Sequence, residues 1–473
     1  MLPPPQGCGS DARPQGGARL STFLIHSGTL VCMDAAGTVA RGDLLIADGV
    51  IVARGDAVAP ALAALPRGRA GESYDASGAL VLPGLVHGHL HLCQTLFRGL
   101  AEQSDLLRWL RESIWPLKAA HTESSIAASA RLGLAELIAG GVTTVNDMGT
   151  VRHTEAIGAV LEESGMRAVF GKALMDQGEG VPRGLLESRR DALEGALAIV
   201  RRFHGAADGR LAVSLAPRFV LSCSAGLWGD VRDASRERGL MVHTHLAESP
   251  AEGREVEAAV SNTAARYFAA HDVLSGRFVG AHGVWLESDE VELLARAGGA
   301  LVHCPGSNLK LGSGFADVRR WKEAGLRCGI GSDGAACNNR LDTFHEMSLA
   351  SGIGRTLHPE QPLSAREILA LSTCDGARAL GLGDRTGSLE AGKQADVIVV
   401  ATTAAHHAPN AEHDPYAALV HAARATDVRL TMAAGRVLYR DGAWTTLDAA
   451  RTLADARAEA RGLLRRVETG VRA

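Results

Sequence analysis

Pro83-Gly84-Leu85-Val86-His87-Gly88-His89-Leu90-His91 closes a largely apolar run that begins at Ala79. Side chains alternate faces along a β-strand, so residues two apart share a side. His89 and His91, at the end of such a strand, therefore aim both imidazoles at one point. A metal site begins in this way, and the rest of the chain must supply its remaining donors.

The sequence downstream alternates apolar strand candidates with helical stretches. The strand candidates are Leu80–His87, Val142–Asp147, Ala168–Met175, Leu211–Pro217, Met241–Ala247, Phe278–His282, Ala300–Cys304 and Arg327–Asp333. Helical periodicity runs between them, as in Ser124–Ala139, Leu186–Phe203 and Ser288–Ala297. Eight such units read as a (β/α)₈ TIM barrel, an α/β fold whose active site sits at the strand C-termini. A doubly wound open sheet is the rival. Closure is favoured because polar residues cluster at the ends of the first, fifth, sixth and eighth strands, which converge only in a barrel.

Both ends of the chain read differently. Phe23–His26 and Asp43–Ile46 are short strands, and Asp48-Gly49 signals a hairpin into Val50-Ile51-Val52. Ala395–Val400, Val428–Met432 and Ala434–Tyr439 are strands as well, and Leu447–Thr469 is helical. The expected organisation is a disordered tail over 1–20 and a small composite β-sandwich from 21–80 and 390–445. The barrel then spans 81–389, with a C-terminal helix over 446–473. The tail is rich in Pro and Gly, with no apolar core to make it a signal peptide or anchor.

Composition narrows the function. The 473 residues are 46% hydrophobic and 22% charged, with a net charge of −4, as in an ordinary globular enzyme. No basic stripe with interleaved aromatics suggests a nucleic acid, and no apolar run is long enough to span a membrane. The eight cysteines contain no C-x-x-C pair, and reduced thiols in a cytoplasm are the expectation. Gly329-Ile330-Gly331-Ser332-Asp333-Gly334 matches a dinucleotide fingerprint, but Cys337-Asn338-Asn339 follows where its helix should pack. No G-x-S-x-G nucleophile elbow occurs.

Further donors fall at barrel strand ends. His245 ends the fifth, His282 the sixth and Asp333 the eighth, while His303 lies on the seventh. Imidazoles with one carboxylate suit a divalent transition metal such as zinc or iron, which lowers the pKa of water to about 7. A lone buried histidine is usually a satisfied core residue, and His303 is weighed as one. His87, His121 and His153 exceed what four coordination positions use. His243 shares a face with His245, and spacing does not choose between them.

With these residues assembled, the chain resembles the amidohydrolase superfamily, and within it the mononuclear aminohydrolases. The resemblance runs from Phe23 to Tyr439. It covers the P-G-x-x-x-x-H-x-H opening, H-x-x-E on strand five, His on strand six, S-D-G on strand eight and the closing Gly387–Asp396 segment. It implies His89, His91, His245 and Asp333 as ligands of one divalent metal, zinc first and iron second. His282 would orient the attacking hydroxide. Glu248 would protonate the substrate ring nitrogen, and Asp333 would pass a proton to the leaving amine. Dinuclear relatives use a carbamylated lysine; Lys172, inside the third strand, is the one candidate here.

Leu92–Leu100, Trp109–Leu117, Ser307–Gly314 and Asp333–Asn339 resemble the 5′-deoxyadenosine, methylthioadenosine and S-adenosylhomocysteine deaminases. Arg218 replaces the purine-contacting His of those enzymes, and Leu107 stands where a ribose-gripping Glu would be. Gln94, Arg218-Phe219 and Gly171–Asp176 echo guanine deaminase. The resemblance implies a small aminopurine substrate held by Gln94, Trp109, Arg218, Phe219 and Glu248. An adenosine-type nucleoside is the first choice, followed by guanine and then triazines. A non-catalytic barrel that binds or assembles is the reading from another class, and the helical faces are compatible with a homo-oligomer.

Overall fold

The computed structural model describes residues 21–66, 70–102, 106–409, 411 and 413–469. The expected tail over 1–20 and the final residues 470–473 lie outside these.

The first five strands are β1 (Ser21–Val31), β2 (Val39–Ala47), β3 (Val50–Arg54), β4 (Ala70–Asp75) and β5 (Ala79–Pro83). Eight parallel strands follow: β6 (Leu85–Leu90), β7 (Val142–Asp147), β8 (Arg167–Leu174), β9 (Leu211–Pro217), β10 (Val242–Leu246), β11 (Phe278–His282), β12 (Ala300–His303) and β13 (Arg327–Ile330). They pair in sequence order without a reversal, as a barrel requires and a doubly wound sheet does not. The chain then returns through β14 (Val397–Ala401), β15 (Val428–Ala433), β16 (Arg436–Arg440) and β17 (Ala443–Trp444).

The barrel seam lies between β13 and β6. Three backbone and side-chain bonds close it. The Asp333 amide donates to the His89 carbonyl (3.2 Å), the Ser332 amide donates to His87 Nε2 (2.8 Å), and Ser332 Oγ meets the same nitrogen (2.7 Å), while Thr343 on a following helix fixes His87 Nδ1 (3.0 Å). Gly331 sits at the crossing. A Cβ there would come within 2.5 Å of the His89 carbonyl oxygen and 2.7 Å of its nitrogen, so no larger residue fits without opening the seam.

The sequence reading of Leu80–His87 as one barrel strand is corrected. The run is two strands in two sheets, β5 in the small one and β6 in the barrel, broken at Gly84. Both are buried on both faces, so the hydrophobic pattern never alternates at the boundary. Leu80 and Leu82 of β5 pack with the barrel core, and Val81 packs with the small sheet's own core. Ile398 and Val400 against Val397 and Val399 repeat that division on β14, which pairs antiparallel with β5.

The small sheet has nine strands drawn from both ends of the chain. It curls until the β2–β3 hairpin meets the β15–β16 turn, where Ala395 donates to the Gly49 carbonyl (2.8 Å) and Gly435 to that of Ala395 (2.9 Å). Asp396, in the closing motif of the sequence, ties this sheet to the barrel. Arg167 at the start of β8 holds it through Nε (2.8 Å) and Nη2 (2.9 Å), with side-chain exposures of 1% and 0%. A bidentate pair this dry joins the two layers, since removing either partner would strand a buried charge. The final helix, Ala449–Thr469, packs on the barrel helix Glu123–Ala139.

Candidate metal and catalytic site

At the C-terminal mouth of the barrel, His89 lies on β6, His91 follows its last residue, His245 lies on β10 and Asp333 follows β13. Each offers one donor atom, and the four atoms lie within 4.8 Å of one another. His91 Nε2 is 3.2 Å from His245 Nε2, and Asp333 Oδ1 is 3.4 Å from Nε2 of both His89 and His91. Burial pushes all three histidines down, His91 and His245 furthest, so each presents a neutral ring with a free lone pair. Burial works to raise Asp333, but the surrounding imidazoles of His89, His91 and His282 outweigh it and bring its carboxyl well below the usual range.

His89 Nε2 is buried with no hydrogen-bond partner. An orphaned imidazole nitrogen facing a carboxylate and two more imidazoles fits a divalent cation in both donor set and spacing. The rings are also aimed from behind. His243 Nε2 meets His89 Nδ1 (2.9 Å), and the Arg218 carbonyl meets His245 Nδ1 (2.8 Å), the kind of support that orients ligating histidines. The ambiguity between His243 and His245 is thus resolved by strand position: His245 reaches the quartet and His243 lies behind it.

Glu248 and His282 stand beside the four. His282 Nδ1 meets Asn308 Oδ1 (2.9 Å), while its Nε2 has no hydrogen-bond partner and lies 3.6 Å from Glu248 Oε2 and 3.9 Å from Asp333 Oδ2. Burial, then the charges of Asp333 and Glu252, push the Glu248 carboxyl well above its usual range. Asp333 Oδ2 accepts from Ser307 Oγ (2.9 Å) and Cys337 Sγ (2.9 Å). His282 and Asp333 have φ of 75° and 61°, a left-handed conformation costing non-glycine residues about 1–3 kcal/mol and concentrated at functional sites.

A narrow cleft opens over these groups. Gln94, Trp109, Arg218, Phe219 and Glu248 all line it, so every substrate contact read from the sequence faces one space. Arg218 is 4% exposed, and its Nε has no partner among the described residues. Trp109 is fixed by its Nε1 bond to the Ala101 carbonyl (3.2 Å). Leu107 lies on the far side of its helix, and Leu106 and Leu110 face the cleft instead.

Residues 80–438 match the model of the amidohydrolase family. The chain belongs to that family. It is 36% identical over 456 residues to a 5-methylthioadenosine/S-adenosylhomocysteine deaminase of Natronomonas pharaonis, covering 95% of this chain and 100% of that protein. A 5′-deoxyadenosine deaminase of Methanothermobacter thermautotrophicus is 36% identical over 416 residues, 87% of this chain and 92% of its own. The crystal structure of an adenosine deaminase from Xanthomonas campestris with bound zinc superimposes with a TM-score of 0.87 at 30% identity, covering 94% of this chain and 98% of that one.

Other residues weighed in the sequence fall outside the site. Lys172 pairs with Glu187 away from the quartet, so no lysine reaches it from the third strand. His303 is buried edge-on to Trp321, with ring centroids 6.2 Å apart. His121 is held by Ser125 and the Cys93 carbonyl.

The sequence reading passed over two groups. Glu252 accepts the Glu248 amide (2.7 Å) and anchors the loop carrying it; Ser249-Pro250-Ala251-Glu252 is a capping-box pattern legible without coordinates. Lys118 is buried, and burial together with the charge of Arg218 pushes it down to about 8. Its one signal was a charge interrupting the apolar Trp115-Pro116-Leu117.

Proposed function

We propose that this protein is a metal-dependent hydrolytic deaminase that replaces the exocyclic amine of an adenosine-type nucleoside with oxygen, releasing ammonia. The observation that carries it is the geometry at the cleft floor: His282 Nε2 lies 3.6 Å from Glu248 Oε2 and 3.9 Å from Asp333 Oδ2, all three buried beside the metal-type quartet. A binding module would have no use for two carboxyl groups set on either side of one imidazole at such a centre. The deaminase relatives support the adenosine-type substrate.

His89, His91, His245 and Asp333 would hold one divalent metal. Zinc is the first choice, supported by the three-imidazole donor set and by the zinc in the Xanthomonas campestris relative. When bound, the metal supplies Lewis acidity that makes water nucleophilic near neutral pH.

The remaining work belongs to the chain. Addition of water at an aromatic C–NH₂ carbon breaks aromaticity, so the ring nitrogen must gain a proton as the C–O bond forms. Glu248, protonated and lining the cleft, donates that proton. His282, fixed through Asn308, orients the attacking water by its Nε2. Asp333 Oδ2 accepts the water's first proton and passes it to the amine, which leaves as ammonia, while the second, from the new hydroxyl, returns to Glu248 as the carbon becomes a carbonyl. Leu106, Trp109 and Leu110 wall the cleft and limit water around these transfers.

One observation favours a second reading. Arg218 Nε has no hydrogen-bond partner among the described residues, and such a donor suits the carbonyl of a guanine-type base. Ammonia release from metal-loaded protein separates the readings, measured on 5′-deoxyadenosine, methylthioadenosine, S-adenosylhomocysteine, adenosine and guanine. Turnover of an adenosine derivative, lost in Asp333→Asn, is expected. Turnover of guanine alone would overturn the substrate and keep the chemistry, and silence across the panel would overturn the proposal.

A further inference from the structure

His406 and His407 lie on the turn Ala405–His407 that follows β14, and Asp427 ends the turn Ala425–Asp427 that leads into β15. β14 and β15 pair antiparallel, with Val400 opposite Val428, so the two turns emerge side by side from one edge of the small sheet. None of the three takes part in the chemistry proposed above.

Both imidazoles converge on one atom. His406 Nε2 is 2.9 Å and His407 Nε2 3.1 Å from Asp427 Oδ2, and the Arg424 amide donates to the same oxygen at 2.8 Å. A carboxylate oxygen offers about two lone-pair directions, so three donors exceed what Oδ2 serves by hydrogen bonding alone. The carboxylate is also largely withdrawn from water. Side-chain exposure is 8% at Asp427, 0% at His407 and 23% at His406, and among the described residues no Lys or Arg forms an ion pair with it. A buried negative charge with only imidazoles for company, on an over-subscribed oxygen, calls for a cation rather than a third proton donor.

We propose that His406, His407 and Asp427 form a second divalent-metal site, of the zinc type, that pins the β14 and β15 turns together. Two imidazoles and a carboxylate are borderline donors that favour zinc over calcium or magnesium. Their ligand atoms lie within 4.8 Å of one another. Zinc bond lengths would set neighbouring donors about 3.3 Å apart, so the group must open by a few tenths of an ångström. The partly exposed edge of His406 leaves a path for the ion and a position for water. The Arg424 amide then keeps Asp427 oriented as a supporting hydrogen bond does.

The test counts metal and does not depend on activity. Full-length protein is stripped with chelator, dialysed against zinc and then against metal-free buffer, and its zinc measured by inductively coupled plasma mass spectrometry. The native chain is expected to hold two zinc ions. His406→Gln, at the exposed edge, and Asp427→Asn, which keeps an acceptor for the Arg424 amide, should each hold one, with any deaminase rate unchanged. The thermal midpoint of the native chain should also rise with zinc beyond the point where the barrel site is full, and that second rise should vanish in both variants. A native count of one would overturn the site, as would a count of two that survives both substitutions.

Discussion

Replacing Glu248 with Gln tests the proposed chemistry most directly, because the exchange is nearly isosteric and removes one proton. Oε1 of Glu248 has no partner and Oε2 stands 3.6 Å from His282 Nε2, so an amide at this position breaks no hydrogen bond that holds the fold. The loop stays anchored through Glu252, which binds the backbone amide of residue 248 rather than its side chain. Only the transferable proton for the substrate ring is lost, since an amide donates a hydrogen bond but not a proton. Positioned acid–base groups contribute about 10²–10⁴-fold, so kcat/KM on 5′-deoxyadenosine should fall by about a thousandfold, equivalent to about 4 kcal/mol. Zinc content at the quartet should not change, since Glu248 is outside it. The assay is ammonia release by coupled spectrophotometry, with zinc counted on the same samples. A loss under tenfold would refute the acid role, and a parallel loss of zinc would mean that Glu248 holds the metal.

Gly331→Ala should destabilise the fold by the upper part of the roughly 1–3 kcal/mol usual for overpacking, because the atoms in its way are His89 backbone; thermal unfolding reads this, and an unchanged midpoint would show that the seam yields. Asp34 gives a pH dependence: burial works upward, but the Thr38 amide and the Arg54 guanidinium prevail and bring it from 3.8 to about 2. A carboxyl lowered by folding stabilises above its unfolded pKa and loses that contribution as pH falls through 2. Asp34→Asn should therefore cost about 2 kcal/mol at pH 7 and nothing near pH 2 in denaturant titrations. Arg218→Met should raise KM about 10–100-fold with little change in kcat, the range for a hydrogen bond to a charged group. An unaltered KM would place Arg218 outside substrate contact.

Much of the site was legible because its signals are local. Two-residue spacing places His89 and His91 together, and the position of His245, His282 and Asp333 at strand ends follows from where apolar runs stop. The capping box at Ser249–Glu252 was equally local. What escaped depended on which sheet a buried strand joins. Ala79–Pro83 and Leu85–Leu90 are buried on both faces, and the apolar run passes through Gly84 with no alternation to separate them. Only their partners do, β14 on one side and β7 on the other.

The sequence by itself determined the alternation that makes a barrel and the donor types at its mouth, since each rests on periodicity and side-chain chemistry; the roles proposed for Glu248 and Asp333 came from the family resemblance. The tertiary structure alone decided three matters. His245 rather than His243 reaches the quartet, because the two share a face of β10 and His245 stands nearer its C-terminal end, while His243 backs His89 from below. The Glu248 carboxyl is pushed upward, because burial and the nearby Asp333 and Glu252 act through space and not along the chain. His406, His407 and Asp427 meet, because antiparallel pairing brings turns about twenty residues apart in sequence to one sheet edge.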